Sequence, residues 1–124
     1  MADSAARRPL PNADRAIVSE RKLLDYLLNL GHRSGRSKAR FFMAHGFSRD
    51  QWHLLADAIR RHATEHPVVS EEATAFGTRY VVDRILHTLW GRTPQLRVVW
   101  FIDHSAEAPR LATAYPRRVA PRDP

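Results

Sequence analysis

The 124-residue chain predicts an α+β fold in which two to three N-terminal helices pack on one face of a three- to four-stranded antiparallel meander. Two observations carry this prediction. Apolar residues recur at helical spacing through the first half of the chain and change to strand-like runs in the second, a segregation that argues against alternating βαβ units. The predicted strands are joined by short, turn-rich connections, which bring antiparallel neighbours together most simply.

The first helix begins after Ser19, an N-cap residue, with Glu20 well placed at the positive end of the helix dipole. Leu23, Leu24, Tyr26, Leu27, Leu28 and Leu30 give it a broad apolar face, and Gly31 is a natural stop. The loop HRSGRS follows, with Ser34, Gly35 and Ser37 favouring turns and a new cap. Lys38 to His45 then reads as a second short helix that buries Phe41 and Phe42 and ends at Gly46. A third helix opens on a capping box of Ser48 and Gln51 with a Phe47–Trp52 staple. It continues through Leu55, Ala56, Ile59 and Ala63 until Pro67 ends it.

Beyond Pro67 the period changes. Val68 and Val69 open a first short strand, Arg79 to Leu86 a second, and Gln95 to Asp103 the clearest one, with Leu96, Val98, Trp100 and Ile102 on one face and Arg97, Val99, Phe101 and Asp103 on the other. Arg110 to Tyr115 is the last strand, entered through Pro109. Helices cover one sheet face, so the other is left partly open and carries Arg97. Residues 1–12 and 117–124 are rich in Pro, Arg and Asp and read as tails, which leaves residues 13–116 as a single domain.

The formal net charge is +7, pointing to a polyanionic partner, either nucleic acid or an acidic protein. GC-rich coding, which favours Arg over Lys, accounts for part of that excess. Only two of the twenty basic residues are lysines, Lys22 and Lys38, and both fall in the segment Lys22 to Gly46. Cysteine is absent, which removes disulfides, thiolate metal sites and thiol catalysis together. No targeting segment is evident and no apolar run approaches the length of a membrane span, so a cytoplasmic protein without membrane contact is expected.

The blocks LPNAD, KLLDYLLNLGHRSGRSKARFF, GTRYVVD, RVVWFID and PRLATAY occur in an order that resembles a bacterial domain family without an assigned activity. Its members are small stand-alone proteins encoded beside antitoxin-like partners, or C-terminal pieces of phage-associated and polymorphic toxins. The resemblance runs from about Leu10 to Pro116. Lys22, Tyr26, Asn29, His32, Gly35, Lys38 and Phe42 match its helical half; Tyr80, Arg97, Trp100, Pro109, Arg110, Leu111, Thr113 and Tyr115 match its sheet half. Relatives commonly follow the histidine with proline, where this chain has Arg33. The order of helices before a meander is also similar to the barnase, EndoU, colicin and RelE superfamily of ribonucleases, a likeness of fold alone.

These likenesses imply a toxin that cleaves RNA, tRNA or mRNA, without metal or cofactor, and that a small acidic antitoxin or immunity protein neutralises. Such cleavage needs a base for the 2′-hydroxyl, a proton donor for the leaving oxygen and cations on the phosphate. His32 supplies the base or acid, Lys22 and Lys38 charge or a base, Arg97 a bidentate phosphate contact and Thr113 a hydrogen bond. Arg110, Arg40, Tyr80 and Tyr115 are expected to bind substrate, the tyrosines by stacking on bases. These groups are expected to converge in a cleft between the loop and the sheet. Trp100 and Tyr26 are read as core. Two alternatives compete: a basic module that binds nucleic acid or a partner protein without catalysis, and a zinc hydrolase built on His62, Glu65 and His66, which spell the inverted zincin pattern HxxEH.

Overall fold

The structure is a computed structural model and describes residues 8–117. The tail assignments for residues 1–7 and 118–124 lie outside the described residues. Helix α1 starts at Glu20–Lys22 and continues in π geometry over Leu23–Leu27; α2 is Arg36–Ala44 and α3 is Trp52–Glu65. The strands β1 (Ser70–Ala73), β2 (Gly77–Ile85), β3 (Gln95–Asp103) and β4 (Arg110–Pro116) form one antiparallel sheet in the order β1-β2-β3-β4. This is the expected α+β meander with its helices N-terminal, and β3 spans the residues that its alternation predicts.

The core lies between α1–α3 and one sheet face. From α3 come Leu55, Ala56, Ile59 and Ala63; from the sheet come Val82, Leu96, Val98 and Trp100, all buried. Each of the buried Val, Leu and Ile side chains among them contributes about 2 kcal/mol through apolar burial. Ser19 caps α1 by accepting from the Lys22 amide at 3.0 Å, and Ser48 accepts from the Gln51 amide at 3.3 Å ahead of α3. The Ser19 cap falls where the sequence puts it. The capping box does not form, because α3 starts at Trp52 with Gln51 as its N-cap and no side-chain cap bond, and the Ser48–Gln51 bond closes the turn ahead of the helix.

Several boundaries differ from expectation for local reasons. Helix α1 ends at Leu27, before Gly31, because it widens: the Leu28 amide bonds the Leu23 carbonyl at 2.7 Å, five residues back. Such single-turn π segments are uncommon and frequent at functional sites. The loosened carbonyls of Leu24 and Leu28 accept from the Arg49 guanidinium, which closes the end of the helix. Helix α2 starts two residues earlier than Lys38, and β1 begins at Ser70, although the Val69 amide already bonds Val81. The packed unit also starts before Ala13. Leu10 is buried in the core, the Val68 amide bonds the Arg8 carbonyl at 2.8 Å and the Arg117 amide bonds the Gln95 carbonyl at 3.1 Å, so residues 8–12 and Arg117, which the sequence assigns to tails, are packed onto the domain.

Two irregularities shape the β4 side. The Ile17 amide bonds the Pro109 carbonyl and the Leu111 amide bonds the Ile17 carbonyl, so the segment before α1 covers the first residues of this edge strand. A bulge then breaks the β3–β4 register: Trp100 pairs with Leu111 and Val99 with Thr113, leaving Ala112 as the extra residue. Bulges twist an edge strand and re-aim its side chains.

Candidate functional site

Tyr26 sits within the π segment of α1, half-buried, and four of the expected site residues gather around it. Its hydroxyl lies 3.1 Å from Thr113 Oγ1 across the bulged edge of β4. Lys38 Nζ stands 5.2 Å and Lys22 Nζ 5.6 Å from the ring centroid, and the His32 ring meets it edge-on at 5.1 Å. Ser19, Arg21, Asp25, Ser34 and Ala112 complete the concavity that Lys22, Tyr26 and His32 line.

The loop between α1 and α2 is held tightly against this tyrosine. A Cβ on Gly35 would lie 2.2 Å from the Tyr26 carbonyl oxygen, so only glycine permits the approach. Asn29 accepts from the Gly31 amide at 2.9 Å and donates to the Asp25 carbonyl. His32 Nδ1 accepts from the amides of both Ser34 and Gly35 at 3.0 Å. An acceptor at Nδ1 assigns the hydrogen of the neutral ring to Nε2, which makes that atom a hydrogen-bond donor. Lys38 Nζ donates to the Ser34 carbonyl at 3.0 Å, tying α2 to the same loop.

Electrostatics converge on the Tyr26 hydroxyl. Burial pushes its pKa up, but hydrogen bonds from Thr113 and Lys38 and the positive charges of Lys38 and Lys22 outweigh it, and the phenol lies below its ordinary value of 10.0. The phenolate is therefore more accessible here than on an open surface.

The remaining expected residues lie elsewhere. Arg97 is on the outer sheet face, where its Nε and Nη2 both donate to Asp83 Oδ2 at 3.2 and 2.9 Å. Asp83 also accepts from Gln95 and Arg117, and Tyr115 hydrogen-bonds Arg97, so this face holds a closed network. Arg110 donates to both Asp103 oxygens, at 2.9 and 3.3 Å, and lies 5.0 Å over the Phe101 ring. Tyr80 borders a separate concavity with Arg8, Pro9 and Val68; burial, then the charge of Glu71, raises its pKa. Arg40 lines a third one, behind the loop, with Gly31, Arg33, Arg36 and Ser37. The structure thus joins Lys22, His32, Lys38 and Thr113, and keeps Arg97, Arg110, Tyr80, Tyr115 and Arg40 apart from them.

The histidines of the HxxEH segment serve the fold. His62 is buried and its Nε2 donates to the carbonyls of Arg84 and Leu96 at 2.9 and 3.1 Å, while His66 Nε2 donates to the Ile85 carbonyl at 3.1 Å. Glu65 is ion-paired with Arg61 at 2.7 Å. The lone pair of the His62 ring is on Nδ1, which is buried without a hydrogen-bond partner, and among the described residues no group of three or more metal-ligating side chains is assembled.

Sequence reasoning missed Tyr26 as a site residue, because its spacing with Leu23, Leu27 and Leu30 reads as core. One signal was present: Lys22 stands four residues before it, on the same helical face.

A family model described as Domain of unknown function (DUF6883) matches residues 9–118, and the chain belongs to this family. Nothing among the curated proteins or the solved structures matches the chain.

Proposed function

We propose that this member of the DUF6883 family is a metal-independent endoribonuclease that acts from the Tyr26 pocket, as a toxin of the cytoplasm restrained by a small acidic partner. The observation that supports the reading most is Tyr26, whose hydroxyl lies 3.1 Å from Thr113 Oγ1, whose ring has two lysines beside it, and whose pKa is lowered. As phenolate it takes the proton of an RNA 2′-hydroxyl; the 2′-oxygen attacks the adjacent phosphorus, forms a cyclic phosphate and expels the 5′-oxygen, which takes a proton from the Lys22 ammonium. Lys38 and Thr113 hold the phenolate. His32 Nε2–H donates to a phosphoryl oxygen, where charge develops. The +7 charge suits both a polyanionic substrate and an acidic neutralising protein.

Incubation with total RNA and with tRNA in the presence of EDTA, read on a gel, tests this. Wild-type protein is expected to cleave, and Tyr26→Phe, which removes only the hydroxyl, to slow cleavage roughly 100-fold or more. Intact RNA with the wild type, or undiminished cleavage by Tyr26→Phe, sinks the catalytic assignment. RNA that is bound but uncut assigns the basic surface to binding alone.

A further inference from the structure

The segment 31–37 forms a ridge with a concavity on each side. His32 and Ser34 face the Tyr26 pocket, whereas Gly31, Arg33, Arg36 and Ser37, with Arg40 from α2, line the other side. No carboxylate lines this second concavity. Seven arginines are ion-paired with Asp or Glu; Arg33, Arg36 and Arg40, like Arg49, Arg79, Arg84 and Arg92, have no ion pair among the described residues, and what sets these three apart is that they line one concavity. Arg36 Nε donates to the Leu30 carbonyl at 3.1 Å, which fixes the plane of its guanidinium and leaves the terminal nitrogens for another acceptor. Three like charges brought together without a counterion repel one another, and an anion on them relieves that repulsion. Guanidinium groups suit phosphate oxygens through paired N–H donors.

We infer that Arg33, Arg36 and Arg40 form a second phosphate subsite, which holds the backbone of a single-stranded RNA one step beyond the linkage in the Tyr26 pocket. A strand laid over the ridge places one phosphate on the lysine side and another on the arginine side. This inference rests on the ribonuclease reading of the first pocket and adds a preference for oligonucleotides over dinucleotides.

Fluorescence anisotropy with labelled 2′-O-methyl RNA of two and of twelve nucleotides, which cannot be cleaved, measures that preference. The wild type is expected to bind the longer probe at least about 10-fold more tightly. In Arg33→Gln/Arg40→Gln the ratio falls below about threefold and the salt slope of 12-mer binding drops by about 1.4, two phosphate contacts at 0.7 each. Arg33→Lys/Arg40→Lys, which keeps the charges, recovers most of the slope. Both positions are exposed and make no ion pair, so the fold is expected to persist, checked by circular dichroism. A wild type without length preference, or a ratio and slope preserved in the Gln variant, overturns the subsite. A protein that cleaves RNA yet keeps its ratio in the Gln variant loses the subsite alone. One that cleaves nothing but loses the ratio keeps the subsite and sinks the cleavage.

Discussion

The hydroxyls of Tyr26 and Thr113 meet at 3.1 Å, across 87 residues of sequence, and this contact fastens the π segment of α1 to the edge strand of the sheet. It also tunes the phenol. Thr113 is the first of the groups that lower the Tyr26 pKa against the opposing effect of burial. If the phenolate is the base, the cleavage rate climbs with pH until Tyr26 is ionised, and a higher pKa moves that climb to more alkaline pH. Thr113→Val removes the hydroxyl with little change of shape. Without that hydroxyl the Tyr26 pKa is expected to rise, so the rate at a fixed pH on the ascending limb is expected to fall several-fold. A rate–pH profile of Thr113→Val that superimposes on the wild type refutes this coupling.

The fold was legible in the sequence and the pairing of its polar groups was not. Strand β3 declares itself by strict alternation, and α3 by its apolar face, both of which are local patterns. Tyr26 shares a helical face with leucines, and what distinguishes it, the bulge at Ala112 and the hydroxyl of Thr113, lies on a strand whose register no local pattern fixes. Arg97 misleads for the same reason. In sequence it is a charge alone in mid-strand; in the sheet the β2–β3 register sets it directly opposite Asp83. The lysines and His32 were legible as a group because they fall within one short stretch, Lys22 on α1, His32 on the loop and Lys38 on α2, and local chemistry survives folding when the chain has little distance to travel.

The network around Asp83 is expected to support stability. The Asp83 side chain is 5% exposed and takes hydrogen bonds from Gln95, Arg97 and Arg117. Burial raises its pKa, but the bonds from Gln95, Arg117 and Arg97 together bring it below the ordinary 3.8. Asp83→Ala is expected to cost about 2–3 kcal/mol, short of a fully buried pair because both arginines retain access to water. Asp57→Ala, which breaks an exposed pair with Arg60 one helical turn away, is expected to cost under about 0.5 kcal/mol. Urea unfolding of the two variants checks the contrast; equal midpoints for both contradict it.

His62 makes stability depend on acid. Its ring is 1% exposed, and its Nε2 bridges the carbonyls of Arg84 on β2 and Leu96 on β3. Because Nε2 carries the hydrogen of the neutral ring, a second proton has to enter at Nδ1, which is buried without a hydrogen-bond partner. Burial is the largest influence on this group and lowers its pKa; the two carbonyls and Asp83 act the other way, His66 with burial, and the net value lies below the ordinary 6.5. The unfolded chain therefore binds a proton at His62 at pH values where the folded chain does not, so stability rises with pH through that window. The contribution is complete above about pH 6.5 and declines as the pH falls toward the folded pKa, by at most about 1.4 kcal/mol per pH unit. His62→Gln retains a side-chain N–H donor and cannot titrate. Thermal unfolding between pH 7.5 and pH 5, run on both proteins at about equal ionic strength, is expected to show a steeper loss for the wild type than for the variant, and parallel curves would remove His62 as the cause.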